Sequence, residues 1–131
     1  MAQSRALAGP SALQAGDPVD LGRALLPGEI VQGLRRCDLT GREIAVAVGV
    51  SDRAVRGWLQ GGRAVERHAQ TLYHLRATAM ILRDGLTLSG VGHWFRSPNR
   101  LLGNRRPLDV IASDPKRVAD AAAAFAEGAF V

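Results

Sequence analysis

The 131-residue sequence lacks the features that mark several common protein classes. Cys37 is its only cysteine, so one chain can form neither an internal disulfide nor a zinc site built from several cysteines. No apolar run approaches the roughly 20 residues needed to cross a bilayer, and residues 1–13 lack the charged flank and continuous apolar centre of a signal peptide. We therefore expect a cytoplasmic protein with no membrane contact and a modest core.

Side chains that could carry out catalysis are few and poorly arranged. His68, His74 and His93 do not share a helix face at the spacing of metal ligands, and Cys37 has no neighbour in sequence that would activate it. The stretch GVG at 90–92 lacks the third glycine and the preceding strand of a nucleotide-binding loop. The sequence thus predicts a protein that is not an enzyme and that binds no cofactor and no metal.

Basic residues outnumber acidic residues in the second half of the chain. Residues 1–60 hold seven arginines and six acids, whereas residues 61–131 hold ten basic residues and six acids, so most of the net charge of +5 lies there. Such an excess suggests contact with a phosphate backbone or an acidic protein surface, and a solvated loop is the alternative. Four arginines follow one another with no acid between them: Arg96, Arg100, Arg105 and Arg106.

The periodicity of the apolar residues predicts an all-α fold. No alternating strand pattern and no repeat occurs. A first helix is expected to begin at Pro27, and a longer one is expected over 65–84. The longer helix is apolar on more than one side, which predicts a second partner for it, either the C-terminal segment or another copy of the chain. Residues 1–18 are rich in Ala, Gly, Ser and Pro, and we expect a flexible leader there.

Residues 39–62, LTGREIAVAVGVSDRAVRGWLQGG, predict two short helices joined by a tight turn. Thr40 and Glu43 have the spacing of a capping box, in which each side chain accepts a hydrogen bond from the other residue's backbone. Gly49 stands where the first helix must end with positive φ, and Ser51 can cap the second helix directly afterwards.

The second of these helices separates a packing face from a polar face. Val55 and Trp58 lie on the packing face. The segment resembles the helix-turn-helix of the Xre type, which places its second helix in the DNA major groove. The net charge of residues 51–67 is only +2, so the alternative is a unit that serves only packing or dimerisation. The residues expected to contact DNA are Ser51, Arg53, Arg56 and Gln60.

The C-terminal part predicts two more helices and a short tail. Pro107 and Pro115 are suited to the first position of helices over 107–112 and 115–127, and Asp114 can cap the second. Gly128 is a natural helix terminator, and the apolar residues after it end in a carboxylate. Trp94 and Phe95 are expected in the core.

The C-terminal part also contains a specific series of residues in a fixed order: Trp94, Phe95, Pro98, Asn99, Leu102, Arg106, Pro107, Asp109, Val118 and the ending EGAFV. With this series, the sequence from about residue 36 to the end resembles the Xre/MbcA/ParS antitoxins. The family joins an Xre-like helix-turn-helix to a small helical domain that neutralises a RES-domain toxin, an enzyme that degrades NAD. Here GNRRP at 103–107 departs from the commoner Gly-Gly-Arg-x-Pro, and Val110-Ile111 replaces a leucine pair.

The resemblance implies that the C-terminal end enters the toxin's active-site cleft and blocks NAD. Without the family, that end would be a frayed terminus or a segment packed on its own helix. The residues implied for the plug are Glu127, Gly128, Ala129, Phe130 and Val131. Those expected to face the toxin elsewhere are Arg96, Pro98, Asn99, Arg100, Arg105 and Arg106.

The helix pattern and the resemblance to antitoxins together predict how the chain is organised. We divide the chain into a leader (1–18), an Xre-like helix-turn-helix domain (19–64), a long connecting helix and turn (65–89) and a toxin-binding domain with its plug (90–131). The expected partners are a RES-domain toxin, operator DNA for autorepression, and a second copy of the chain, with a hetero-oligomer formed on toxin binding. The alternative is a plain dimeric helix-turn-helix transcription regulator without a toxin partner.

Overall fold

The computed structural model describes residues 25–128, and this part of the chain forms seven α-helices and one 3₁₀ turn, with no β-strand. The all-α prediction is therefore confirmed. The expected leader at 1–18 and the last three plug residues, Ala129, Phe130 and Val131, lie outside the described residues. The helices are α1 (Pro27–Arg36), α2 (Gly41–Val48), α3 (Asp52–Leu59), α4 (Glu66–Leu82), α5 (Leu88–Arg96), α6 (Pro107–Val110) and α7 (Pro115–Ala126), with the 3₁₀ turn at Arg100–Leu102 between α5 and α6.

The turn between α2 and α3 forms as its sequence predicts. The Glu43 amide donates to Thr40 Oγ1 at 3.0 Å, and the Thr40 amide donates to Glu43 Oε1 at 2.9 Å, which completes the capping box. Gly49 ends α2 with φ +86°, and the Ala54 amide donates to Ser51 Oγ at 3.1 Å to start α3. An added Cβ at Gly49 would meet no atom within 4 Å, so the backbone angle is what requires glycine there.

Helix α4 is the centre of the fold. It packs against α1 on one side and α7 on another, and its buried residues include Leu72, Leu75 and Leu82. The second apolar side of α4 is thus covered by the C-terminal segment, one of the two partners expected for it. Tyr73 and Met80 remain exposed on α4. The helix is slightly shorter than expected because Val65 is its N-cap and Arg83 its C-cap.

Helix α5 is the element that sequence periodicity does not predict. Thr87 caps it, with the Gly90 amide donating to Thr87 Oγ1 at 3.1 Å. A Cβ at Gly92 would lie 2.7 Å from the carbonyl oxygens of Cys37 and Asp38, so glycine lets α5 lie directly on the turn between α1 and α2. This close approach joins the C-terminal segment to the first helices.

The two aromatic residues of α5 have different environments. Phe95 is fully buried, as expected, and Trp94 is only half-buried, which corrects the expectation that both are core residues. Their rings meet edge to face, with centroids 5.5 Å apart. Adjacent side chains on a helix point in different directions, and α5 directs Phe95, rather than Trp94, fully into the core.

The last two helices begin at the prolines that predicted them. Helix α6 ends at Val110 and α7 at Ala126, so each is slightly shorter than expected. The Arg117 amide donates to Asp114 Oδ1 at 3.2 Å, which confirms the predicted cap. Gly128 follows α7 with φ +88°. Within residues 25–128, no helix is long and apolar enough to cross a membrane.

Candidate functional site

The four residues predicted to contact DNA share one exposed surface. Ser51, Arg53, Arg56 and Gln60 are all exposed, and Val55 and Trp58 on the opposite face of α3 are buried. Ser51 has a structural task in addition, because its hydroxyl caps α3. The structure therefore brings the four residues together on a polar face that is free of the core. Contact with DNA itself stays a prediction.

The loop 97–106, between α5 and α6, is held by hydrogen bonds that converge on Asn99. The Asn99 amide donates to the Arg105 carbonyl oxygen at 3.0 Å, and the Asn99 carbonyl oxygen accepts from Leu102 and Asn104 at 2.9 Å each. Asn99 Oδ1 also accepts from the Leu101 amide at 2.9 Å. Asn99 thus organises the loop, whatever contact it makes with a partner, and Pro98 beside it is exposed.

The sequence GNRRP at 103–107 has two successive residues with left-handed backbone angles. Gly103 and Asn104 have φ of +68° and +64°, in the left-handed region that glycine adopts without strain. Asparagine enters this region more readily than most other residues with a side chain. Asn104 can therefore adopt the left-handed backbone angle of this turn.

Two of the four clustered arginines are committed to ion pairs inside the chain. Arg96 donates from Nε to Glu43 Oε2 at 2.8 Å and from Nη2 to Glu43 Oε1 at 3.0 Å, and it also contacts the backbone and carboxylate of Asp38. Arg106 pairs with Asp109 through two bonds of 2.8 and 2.9 Å. Contact of these two arginines with the toxin stays a prediction, and their charge is already paired within the chain. Their acids precede or follow the arginine run, so the run itself gives no sign of them.

The Arg96–Glu43 pair links α5 to the start of α2. Hydrogen bonds from Arg96 hold the pKa of the Glu43 carboxyl below its ordinary value of 4.5. Because the pKa is lower in the folded state, the pair stabilises the fold above that ordinary value, and this stabilisation is lost as the pH falls through the folded-state pKa. The pair therefore contributes to stability at neutral pH and not in strong acid.

We expect Glu43→Gln to lower the free energy of unfolding by about 1 to 3 kcal/mol at pH 7, because it removes a charge-assisted bond at a partly buried site. The difference from the unmodified chain should shrink as the pH is lowered below about 4. Urea unfolding at several pH values measures both effects. Asp120→Asn, which breaks the exposed Lys116–Asp120 pair, is the matched control and should cost clearly less than Glu43→Gln. Equal losses for the two variants at pH 7 would contradict the assignment.

The remaining arginines of the loop, Arg100 and Arg105, are exposed, and their side chains make no hydrogen bond or salt bridge within residues 25–128. Between them stands Leu101, which sequence reasoning missed. Its side chain is 55% exposed, whereas that of Leu102 is fully buried. Leu101 and Leu102 are adjacent in the 3₁₀ turn, and only Leu102 is directed into the core.

The C-terminal end of the chain follows α7, a helix that is packed against the core. Val118, Ala121 and Ala122 bury one face of α7, and α7 packs on α4. Glu127 is exposed, and a Cβ added at Gly128 would meet nothing within 4 Å. The described part of the predicted plug is thus unobstructed, and the rest of the plug lies outside the described residues.

No group of three His, Cys, Asp or Glu side chains in the described part of the chain could hold a metal ion. A half-open groove of about 410 Å³ lies between α1 and α4, lined mainly by apolar side chains and bordered by arginines. Cys37 contributes to the groove lining, and burial raises the pKa of its thiol, which disfavours the reactive thiolate.

Known proteins similar to this chain are antitoxins. A "Probable mycobacterial cidal antitoxin Rv3188" of Mycobacterium tuberculosis is 43% identical over 114 residues, which cover 86% of this chain and 98% of that protein. The "Mycobacterial cidal antitoxin MbcA" of Mycobacterium bovis is 33% identical over 113 residues, covering 85% of this chain and all of that protein. The chain belongs to the mycobacterial cidal antitoxin family. No family model matches it.

A solved structure extends this similarity to the fold. A chain in the crystal structure of the M. tuberculosis MbcT-MbcA toxin-antitoxin complex matches with a TM-score of 0.69 and 33% identity, covering 82% of this chain and 98% of that chain. The prediction of an antitoxin of a toxin–antitoxin system, and not of an enzyme, is thereby confirmed. The Xre-like character of α2 and α3 stays a prediction.

Proposed function

We propose that this antitoxin neutralises a RES-domain toxin that degrades NAD, by placing residues 127–131 in the toxin's active-site cleft. The observation that carries the proposal is the match to a chain crystallised in a complex of toxin and antitoxin. The match covers 82% of this antitoxin and 98% of the crystallised chain. The RES-domain identity of the partner and the blocking of NAD come from the sequence resemblance. The complex of the two proteins is a hetero-oligomer in the cytoplasm.

The chemistry of the C-terminal end supports this role. Phe130 and Val131 provide an aromatic and a branched side chain that can fill a pocket, and the terminal carboxylate can meet the cationic groups expected where a pyrophosphate binds. The buried face of α7 provides a fixed support for whatever follows Gly128. A support of this kind reduces the entropy lost when the end enters a cleft.

Co-expression with the protein encoded in the adjacent reading frame tests the proposal. Cellular NAD and growth are measured with the adjacent protein alone and with both proteins. We expect the adjacent protein alone to deplete NAD and arrest growth, and the antitoxin to restore both. A harmless adjacent protein, or one that stays toxic in the presence of this chain, would contradict the proposal and favour the plain transcription regulator.

The exposed face of α3 supports a second activity, repression of the chain's own operon. Arg53 and Arg56 can bind guanine or phosphate, and Gln60 can pair with adenine in the major groove. One α3 helix offers few phosphate contacts, so we propose that a homodimer presents two of them to the operator. The exposed Tyr73 and Met80 on α4 are available for such an assembly.

We expect the double variant Arg56→Ala and Gln60→Ala to weaken binding to the DNA upstream of the reading frame by at least about tenfold, because each side chain contributes base or phosphate contacts. Toxin neutralisation should be unchanged. Gel-shift titration at fixed salt measures the affinity. The control is Gln32→Ala with Arg35→Ala, which removes the same exposed residue types from α1. Equal affinities for the two double variants would contradict DNA reading by α3.

A further inference from the structure

We propose that Leu101 is an apolar anchor of the toxin interface, inserted into an apolar recess of the toxin that is rimmed by acidic groups. Arg100, Arg105 and Arg117 would meet that rim. The inference rests on the proposed function, and it adds a contact site separate from the C-terminal end. It also specifies the chemistry of the toxin surface, which must combine a recess large enough for a leucine with carboxylates around it.

The backbone around Leu101 is held rigidly enough to present an anchor. Its amide donates to Asn99 Oδ1 at 2.9 Å, and its carbonyl oxygen accepts from Arg117 Nε at 3.2 Å, which attaches the 3₁₀ turn to α7. Leu102, next in sequence, is fully buried and fixes the turn from the inside. A single exposed leucine is ordinary on a protein surface, but one on an immobile turn loses little entropy when it binds.

The charge around Leu101 is positive. Arg117 uses its Nε for the Leu101 carbonyl and remains exposed. The side chains of Arg100 and Arg105 form no hydrogen bond or salt bridge within residues 25–128, and Arg105 is near enough to Asp109 to help lower the pKa of that carboxyl. The nearby acids are already engaged, since Asp109 binds Arg106 and Asp114 caps α7. The surface is therefore complementary to acidic groups.

An apolar centre with a charged rim is typical of a protein interface. Anchors that carry most of the binding free energy lie in the middle of such contacts, and charges at the rim accelerate association. Binding of single-stranded nucleic acid instead relies on aromatic side chains on which bases stack, and Leu101 has no such side chain beside it in the turn. The combination favours a protein partner.

Binding kinetics of the purified full-length chain with the protein of the adjacent reading frame test the inference. Leu101→Ser should accelerate dissociation at least about tenfold and change the association rate less than about threefold. Arg100→Glu with Arg105→Glu should slow association at least about tenfold at low salt, an effect that declines as salt rises. Thermal melting of each variant checks folding, and Leu101→Ala is the second variant if the serine lowers the melting temperature.

Two leucines serve as matched controls. Leu26 and Leu88 are 59% and 45% exposed, close to the 55% of Leu101, and Leu26→Ser and Leu88→Ser should leave dissociation unchanged. If the unmodified chain binds but Leu101→Ser behaves like the controls, the anchor is wrong and the proposed function stands. If the unmodified chain does not bind, the proposed function fails, and the inference with it. Loss of operator affinity in the arginine variant, with toxin binding intact, would assign the surface to DNA and overturn the inference.

Discussion

Phe95→Ala is expected to lower the free energy of unfolding by about 3 to 5 kcal/mol, the cost of deleting a fully buried aromatic ring and leaving a cavity. Phe95 has no exposed surface and is the largest of the fully buried side chains in the described core. It lies on α5, which packs against α6 and contacts the turn between α1 and α2 through Gly92. The loss is therefore expected to loosen the C-terminal segment from the first helices.

Trp94→Ala is the comparison variant for Phe95→Ala, because the two residues are adjacent on α5 and differ in burial. Trp94 is larger than Phe95 but only half-buried, so its removal should cost about 1 to 2 kcal/mol. Urea unfolding followed by circular dichroism measures both variants, since Trp94 contributes to the fluorescence signal itself. A cost for Trp94→Ala equal to or above that of Phe95→Ala would show that α5 is turned differently on the core.

Deletion of residues 129–131 is expected to abolish toxin neutralisation and to leave the stability of the fold unchanged. The truncated chain keeps all of α7, including its buried residues Val118, Ala121 and Ala122. The proposed plug, in contrast, loses its aromatic side chain, its branched side chain and the position of its carboxylate. Cellular NAD and growth in co-expression measure neutralisation, and thermal melting measures stability.

A finer set of variants separates the plug from the rest of the interface. Phe130→Ala should reduce neutralisation strongly, and Glu127→Gln, which keeps the length and shape of the end, is the milder comparison. The truncated chain should still bind the toxin through Leu101 and the arginines around it (Arg100, Arg105 and Arg117, together the Leu101 surface), with inhibition lost. Full NAD protection by the truncated chain would refute the plug and leave the Leu101 surface as the basis of inhibition.

The helices that the sequence predicted correctly are marked by capping and terminating residues close to their own ends. Thr40 and Glu43 form the capping box that their spacing indicated, and Gly49 and Ser51 end α2 and begin α3 as expected. Pro115 with Asp114 marked the start of α7 equally well. Each of these predictions depends on a hydrogen bond or a backbone angle that neighbouring residues decide among themselves.

The candidate site was harder to predict because its residues depend on distant partners. The four arginines looked alike in sequence, and the structure divides them into two that hold the fold and two that remain available. Leu101 and Leu102 were likewise indistinguishable until the turn placed one outside and one inside. Partners of this kind become visible only when the path of the backbone is known.

The amino-acid sequence by itself was therefore sufficient to predict the all-α class, the helix caps and the resemblance to antitoxins. The packing of α5 on Cys37 and Asp38, and the Arg96–Glu43 bridge, needed the folded chain. The bridge joins residues 53 positions apart, and no local pattern encodes such a pair. Helix caps are decided by neighbours along the chain, whereas contacts between helices depend on how all seven described helices fill one core together.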